Sequence, residues 1–161
     1  MSAADHGGTA GVPFPPPLAF LSGLAIGFGL HHFHPVPILR ASPGIDALKH
    51  VGAALFLFGI ALAVAAFISF LRARTSPFPE RPSTSLVVRG PFRFTRNPLY
   101  LSMSLIHAGF CLFVNALWPL LFLAPALAAI RILVIAREER YLLRLFGSEY
   151  EDYCRRVRRW F

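Results

Sequence analysis

The sequence predicts an all-α membrane protein: four transmembrane helices followed by a C-terminal cytoplasmic amphipathic helical tail. Three observations predict it. Of 161 residues, 55% are hydrophobic, too many for an ordinary soluble domain. Apolar windows near the roughly 20 residues needed to cross a bilayer core of roughly 30 Å fall at 17–39, 47–71, 98–114 and 117–136. The net charge of +8 is gathered beside those windows. Arg72, Arg74, Arg81, Arg89, Arg93 and Arg96 crowd the 72–97 loop against Glu80 alone. Arg137, Arg140, Arg144, Arg155, Arg156, Arg158 and Arg159 follow the fourth window, whereas the 35–50 loop holds only Arg40 and Lys49 with Asp46. The positive-inside rule then makes the 72–97 loop, the tail and both termini cytoplasmic, with a bacterial inner membrane as the expected location. Every basic cluster flanks a span, so attraction to anionic membrane lipids accounts for the charge, and no nucleic-acid partner is expected.

Taken in order, residues 1–16 are rich in Gly, Ala and Pro without periodicity and read as a disordered N-terminus ahead of a single membrane domain over 17–161. The first span lacks a basic region before it and a small-residue cleavage site after it, so it is not expected to be a removable signal. It carries Ala19, Gly23 and Gly27 at four-residue intervals, a stripe on which another helix, or a second copy of the chain, can approach closely. Gly59, Ala63 and Ala66 repeat the device more loosely in the second span. A Pro/Ser/Arg loop with Pro77, Pro79 and Pro82 leads to an extended run, Thr84 to Val88, and Gly90-Pro91 forces a turn. Asn97-Pro98 reads as N-cap and first residue of the third span, the Asn accepting an orphan N–H and the Pro lacking one. Asn115 and Trp118-Pro119 mark a tight turn, so spans three and four form a helical hairpin. The tail 137–160 is amphipathic, and Gly147 divides it into two short helices expected to lie along the cytoplasmic interface and fold back on the hairpin.

Few residues can carry chemistry. Glu138 and Glu139 are adjacent, so on a helix they diverge by roughly 100° and only one is expected to face a given pocket. Neighbouring arginines could simply neutralise them; alternatively, carboxylates where a membrane helix emerges could bind an ammonium, a sulfonium environment or a ribose diol. Arg131 lies about two turns inside span four, where it either snorkels to the interface or holds an anionic group. Tyr100, Ser104, His107 and Cys111 share one face of span three, which suits interhelical hydrogen bonding or the lining of a pocket, with His107 a conceivable proton acceptor. His31 and His34 have a spacing that could share a metal, but no carboxylate or cysteine completes a site, and no metal is expected. Cys111 and Cys154 sit at different depths and are not expected to pair. No glycine-rich nucleotide loop, nucleophile elbow or zinc-protease motif is present.

Two segments together resemble a known family. Leu86-Val87, Gly90-Pro91-Phe92-Arg93 and Arg96-Asn97-Pro98-Leu99-Tyr100 are followed, two spans later, by Glu138-Glu139, Leu142, Phe146-Gly147, Tyr150, Tyr153 and Val157. At these positions, over 84–160, the chain is similar to the isoprenylcysteine carboxyl methyltransferase and phospholipid methyltransferase superfamily of integral membrane enzymes. The resemblance implies S-adenosylmethionine bound at the cytoplasmic end of the hairpin without a Rossmann domain, and a lipid-like acceptor arriving sideways from the bilayer. By position it implies cofactor contacts from Thr84, Ser85, Leu86, Val87, Phe92, Arg96, Asn97, Pro98, Leu99, Tyr100 and Glu138. Arg131, Glu139 and Tyr100 are the expected catalytic residues, Arg131 orienting the acceptor. Asn97 stands where eukaryotic members carry a histidine. No residue aligns with the acceptor-contacting arginine of the carboxyl methyltransferases, Arg131 and Arg137 being nearest, which argues against a prenylcysteine acceptor. Two other classes remain: a non-catalytic relative serving as a membrane scaffold, which need not keep both motifs, and a small transporter, which would want further mid-membrane charge.

Overall fold

The computed structural model describes residues 8–40, 43–78 and 81–160. Pro79 and Glu80 of the basic loop, and residues 1–7 of the N-terminus, lie outside the described residues. Within them the chain is helical: α1 Pro17–Phe33, α2 Gly44–Arg72, α3 Pro98–Phe113, α4 Leu117–Leu121, α5 Leu123–Ala129, α6 Ala136–Phe146 and α7 Ser148–Arg156. A 3₁₀ turn covers Gly90–Arg93 and a π-helical segment Ile130–Ile135. An isolated bridge, Pro37 to Ala116, is the sole β pairing among the described residues.

Two helical stretches are long and apolar enough to cross a membrane, α2 and the run Leu117–Phe146. Only 11% of the apolar window of α2 is buried within the protein, which a soluble core helix could not tolerate. Leu57, Phe58, Val64 and Leu71 are instead 52–74% exposed along it, the surface of a lipid-facing helix. α1 and α3, with 17 and 16 residues, are shorter apolar helices.

The small residues decide which helices touch. A Cβ on Gly27 would collide with the backbone of Pro119, and one on Gly23 would stand 3.1 Å from the Phe122 carbonyl. The Gly23 and Gly27 positions of α1 are thus packed against α4 and Phe122 of the same chain. The α2–α3 contact is built the same way, at three glycines. A Cβ on Gly52 would lie 2.5 Å from Phe113 N, one on Gly109 2.5 Å from Phe56 N, and one on Gly59 2.9 Å from the Ser102 carbonyl. Backbone approaches this close give dispersion contact where burial from lipid gives little.

Several boundaries differ from the sequence reading, each for a physical reason. α1 stops at Phe33 and not near residue 39, because Pro35 and Pro37 interrupt the donor ladder. The loop that follows is closed by side chains: Asn115 Nδ2 donates to Leu39 O and Asn115 Oδ1 accepts from Leu39 N, at 2.8 and 2.9 Å, while Trp118 Nε1 donates to His34 O at 2.9 Å. Asn115 takes φ +56° at the hairpin turn. The fourth span does not end at 136, since nothing breaks the backbone there. α4, α5, the π segment and α6 run on as a 30-residue helix, so α6 is no separate interfacial helix. Gly147, at φ +51°, ends it, and α7 turns back. The N-terminal segment is also more fixed than composition suggests: Gly11 O accepts from Arg137 Nη1 at 2.9 Å, and Val12 and Phe14 pack on the cluster of Phe20, Tyr100, Ile130 and Val134.

Candidate functional site

The chain closes a cleft at the end of the bundle where α6 leaves it. Its walls come from four places. α2 supplies Phe70, the 75–87 loop supplies Thr75, Ser83, Ser85, Leu86 and Val87, the 3₁₀ turn and the start of α3 supply Phe92 and Arg96 to Tyr100, and α6 and α7 supply Glu138, Glu139, Tyr141, Leu142, Tyr150 and Tyr153. The cleft encloses about 120 Å³ of free space beneath its open mouth.

Each wall has a local cause. Gly90, at φ +63°, lets the chain reverse into the 3₁₀ turn, which buries Phe92 edge-on against Phe70 at 5.2 Å. The Tyr153 hydroxyl donates to Phe92 O at 2.8 Å, tying α7 to this turn. Val87 packs with Phe92 and Ala66, while Leu86 and Val88 pack with Tyr150, Tyr153 and Val157 on the other side. The extended run is therefore a wedge between α2 and α7, with alternate side chains facing opposite ways. Thr84 is the exception among the predicted cofactor residues: it does not line the cleft. Its N–H donates to Thr75 Oγ1 and its hydroxyl to Arg74 O, both at 2.9 Å, so it pins the loop from behind. Asn97 also departs from expectation. Its side chain does not cap α3; its Nδ2 donates to Arg159 O at 3.1 Å, and Thr95 Oγ1 accepts from Asn97 N at 3.3 Å. Pro98 does open the helix.

The two carboxylates have different surroundings, and both face the cleft, contrary to the expectation that only one would. Opposing walls reach them from two directions. The Tyr100 hydroxyl donates to Glu138 Oε1 at 2.5 Å, a charge-assisted bond that links the start of α3 to α6. Glu139 is neutralised instead. Arg159 grips it with two parallel bonds, Nε to Oε1 at 2.9 Å and Nη2 to Oε2 at 2.6 Å, and Arg96 Nη1 approaches Oε1 at 3.3 Å. The bond to Glu139 holds the Arg159 guanidinium yet more firmly protonated than usual. Glu139, the expected catalytic carboxylate, thus has both oxygens engaged by guanidiniums. Burial pushes the phenols of Tyr150 and Tyr153 well above their ordinary range, the Glu139 charge adding to the effect at Tyr150. Both remain neutral aromatic walls.

Arg131 is not brought to the cleft. In the π segment Ile130, Val134 and Ile135 take the buried face, and Arg131 is exposed beside Ile132 and Leu133. Its predicted role of orienting an acceptor within the site is therefore set aside. The polar stripe of α3 does face the interior, with Tyr100, Ser104, His107 and Cys111 all buried. Two of its members bond locally: His107 Nε2 donates to Pro119 O at 2.8 Å and Ser104 Oγ donates to Tyr100 O at 2.7 Å, while His107 Nδ1 is buried without a partner. Only Tyr100 reaches the cleft. Both cysteines are free, and among the described residues no three His, Cys, Asp or Glu side chains come together.

Sequence reasoning did not assign several residues of the site, among them Phe70, Thr75, Ser83, Tyr141 and Arg159. Tyr141 accepts the Ser83 N–H at 3.0 Å and holds the 75–87 loop over the cleft; its spacing of three from Glu138, on the same face of α6, was an available signal. Arg159 was one of four similar tail arginines, and nothing local distinguishes it.

A family model described as phospholipid methyltransferase matches residues 48–149, from the first turn of α2 to the first turn of α7. The match takes in both carboxylates and the whole Arg96–Tyr100 segment, and stops short of Tyr150 and Arg159. No individual curated protein matches the chain.

Proposed function

Because the chain belongs to the phospholipid methyltransferase family, we propose that it is an integral membrane enzyme transferring a methyl group from S-adenosylmethionine to a lipid-like or small hydrophobic acceptor at the cytoplasmic membrane face. The observation that carries this reading is the cleft itself, in which Glu138 and Tyr100, 38 positions apart, are joined at 2.5 Å between aromatic and hydroxyl walls. The donor set suits the cofactor. A carboxylate and several phenol rings favour a cationic sulfonium or ammonium, Ser83 and Ser85 offer hydroxyls to a sugar, and Leu86, Val87, Leu99 and Leu142 offer apolar surface to a flat base. When bound, S-adenosylmethionine supplies a methyl group already activated on sulfur. The protein's own task is then alignment and exclusion of water, which can be worth roughly 7–11 kcal/mol when the geometry is good. Glu138 binds the cationic part of the donor, and Tyr100 fixes the carboxylate. Phe70 and Phe92 form the apolar wall on the α2 side, where an acceptor can arrive from the lipid.

The basic clusters at 72–97 and 137–159 support a cytoplasmic position for this end of the bundle by the positive-inside rule. With α1 and α3 tilting little in the bilayer, the four apolar helices form four spans of an inner-membrane protein with both termini cytoplasmic.

The test is binding of S-adenosylmethionine to detergent-purified protein by calorimetry, with Glu138→Gln alongside. Micromolar binding by the wild type, lost by 100-fold or about that in a variant of unchanged thermal stability, is expected; truncating a buried charge contact costs on this order. Wild-type-like binding by Glu138→Gln would remove the assignment, and no binding by folded wild type would remove the reading.

A further inference from the structure

Arg96 is better buried than it is bonded. Its side chain is only 16% exposed, and it forms part of the cleft wall. Nη1 is spent on a 3.3 Å approach to Glu139 and a 2.7 Å contact with Cys154 Sγ, a weak acceptor. Nε is fully buried and has no partner. A guanidinium taken out of water normally recovers its hydration through a bidentate carboxylate, and one stands beside it. That carboxylate, Glu139, gives Arg96 only the single 3.3 Å approach, because both of its oxygens are bonded by Arg159.

Arg159 is itself placed by the end of the chain. Arg96 N donates to Arg158 O at 3.0 Å, Thr95 Oγ1 to Arg159 O at 2.9 Å and Asn97 Nδ2 to the same carbonyl at 3.1 Å. Trp160 packs on the core cluster beyond it. The last residues thus run alongside residues 95–97 and bring a second guanidinium to Glu139. Two arginines thus meet at Glu139, with Glu138 the second carboxylate on the cleft wall.

We propose that Arg96 is an oxyanion-binding residue of this site and that Arg159 is its positioning residue, holding Glu139 in a bidentate grip so that Arg96 is left for a ligand's carboxylate or phosphate. Without Arg159, Glu139 would close on Arg96 and occupy it. This rests on the methyltransferase reading above: the anionic group is either the carboxylate of the methyl donor or the phosphate of a lipid acceptor.

The experiment compares S-adenosylmethionine with decarboxylated S-adenosylmethionine, which keeps the sulfonium and the amine and lacks only the carboxylate. Affinities are measured for wild type, Arg159→Gln, Arg159→Lys and Glu139→Gln, and separately for phosphatidic acid in mixed micelles. If the donor's carboxylate is the ligand, Arg159→Gln weakens S-adenosylmethionine binding about tenfold or more, the worth of one charge-assisted hydrogen bond, and leaves the decarboxylated form unchanged. Arg159→Lys restores part of the loss. Glu139→Gln, which leaves Arg159 an acceptor and removes the charge competing for Arg96, retains S-adenosylmethionine binding. If the phosphate of a lipid is the ligand, Arg159→Gln instead weakens phosphatidic acid alone. Equal losses for both donor forms would mean that Arg159 only supports the fold, and unchanged affinities for all three ligands would mean that it positions nothing; either overturns the proposal. Loss of S-adenosylmethionine binding in Glu139→Gln would overturn it too, by making Glu139 the contact. Failure of the wild type to bind either donor form strikes the methyltransferase reading, a result distinct from all of these.

Discussion

The two ends of the helical bundle solve the same problem differently. At the end holding the α1–α2 loop and the α3–α4 turn, exposed backbone groups are met by neutral side chains. Asn115 pairs reciprocally with Leu39, Trp118 serves His34, and no ion pair forms among the described residues there. At the other end, charged groups from far apart in sequence meet around a cleft: Tyr100 with Glu138, Arg96 with Glu139, Arg159 with Glu139. The first end needs only to be closed. The second gathers more charge than closure requires, two guanidiniums about Glu139, although each end keeps a buried nitrogen without a partner, His31 Nδ1 at the first and Arg96 Nε at the second. Surplus polar groups are costly in a low-dielectric setting, and sites of function are where proteins keep them.

Both ends depend on the same helix packing, so the largest effect is expected from breaking that. Gly27→Val would drive a side chain into the Pro119 backbone, which cannot move aside as a flexible side chain could. The cost should exceed about 3 kcal/mol, beyond ordinary overpacking, and be seen as loss of monodisperse protein in detergent. Normal expression and melting would show that α1 and α4 can separate without penalty.

Raising the pH sharpens the contrast between the ends. Tyr150 and Tyr153 are held as neutral phenols above their ordinary value of 10.0. Their contribution to stability is therefore complete below pH 10 and is lost above it, where the unfolded phenols ionise and the folded ones resist. The melting temperature should fall as pH rises past 10, and Tyr150→Phe with Tyr153→Phe should flatten that fall. An unaltered slope in the double variant would assign it elsewhere. The smallest effect belongs to the opposite end. Asn115→Ala removes two loop hydrogen bonds and a residue suited to positive φ, for about 1–2 kcal/mol of stability, while donor affinity stays as in the wild type. A change in that affinity would mean the two ends are coupled.

Part of this was legible without coordinates. The apolar windows, the Gly147 break, the Gly90-Pro91 turn and Pro98 at a helix start follow from local rules of hydropathy and backbone freedom. So did most of the cleft: Ser85, Leu86, Val87, Phe92, Arg96 to Tyr100, Glu138 and Glu139 all line it. Such residues could be found because they lie in two compact motifs. What failed were inferences about direction. Arg131 turns outward because the π segment shifts the buried face, Thr84 turns behind the loop, and Asn97 reaches the chain terminus in preference to its own helix. The same limit hid Arg159.

The sequence by itself determined where helices begin and break and which segments carry polar chemistry, because those properties depend on neighbours within a few positions. Tertiary structure alone decided that Glu139 meets two guanidiniums while Glu138 meets Tyr100, and that the glycine stripe of α1 packs on α4. Such outcomes depend on which side chains meet across tens of residues, and a guanidinium can satisfy only the partner that packing brings within about 3 Å.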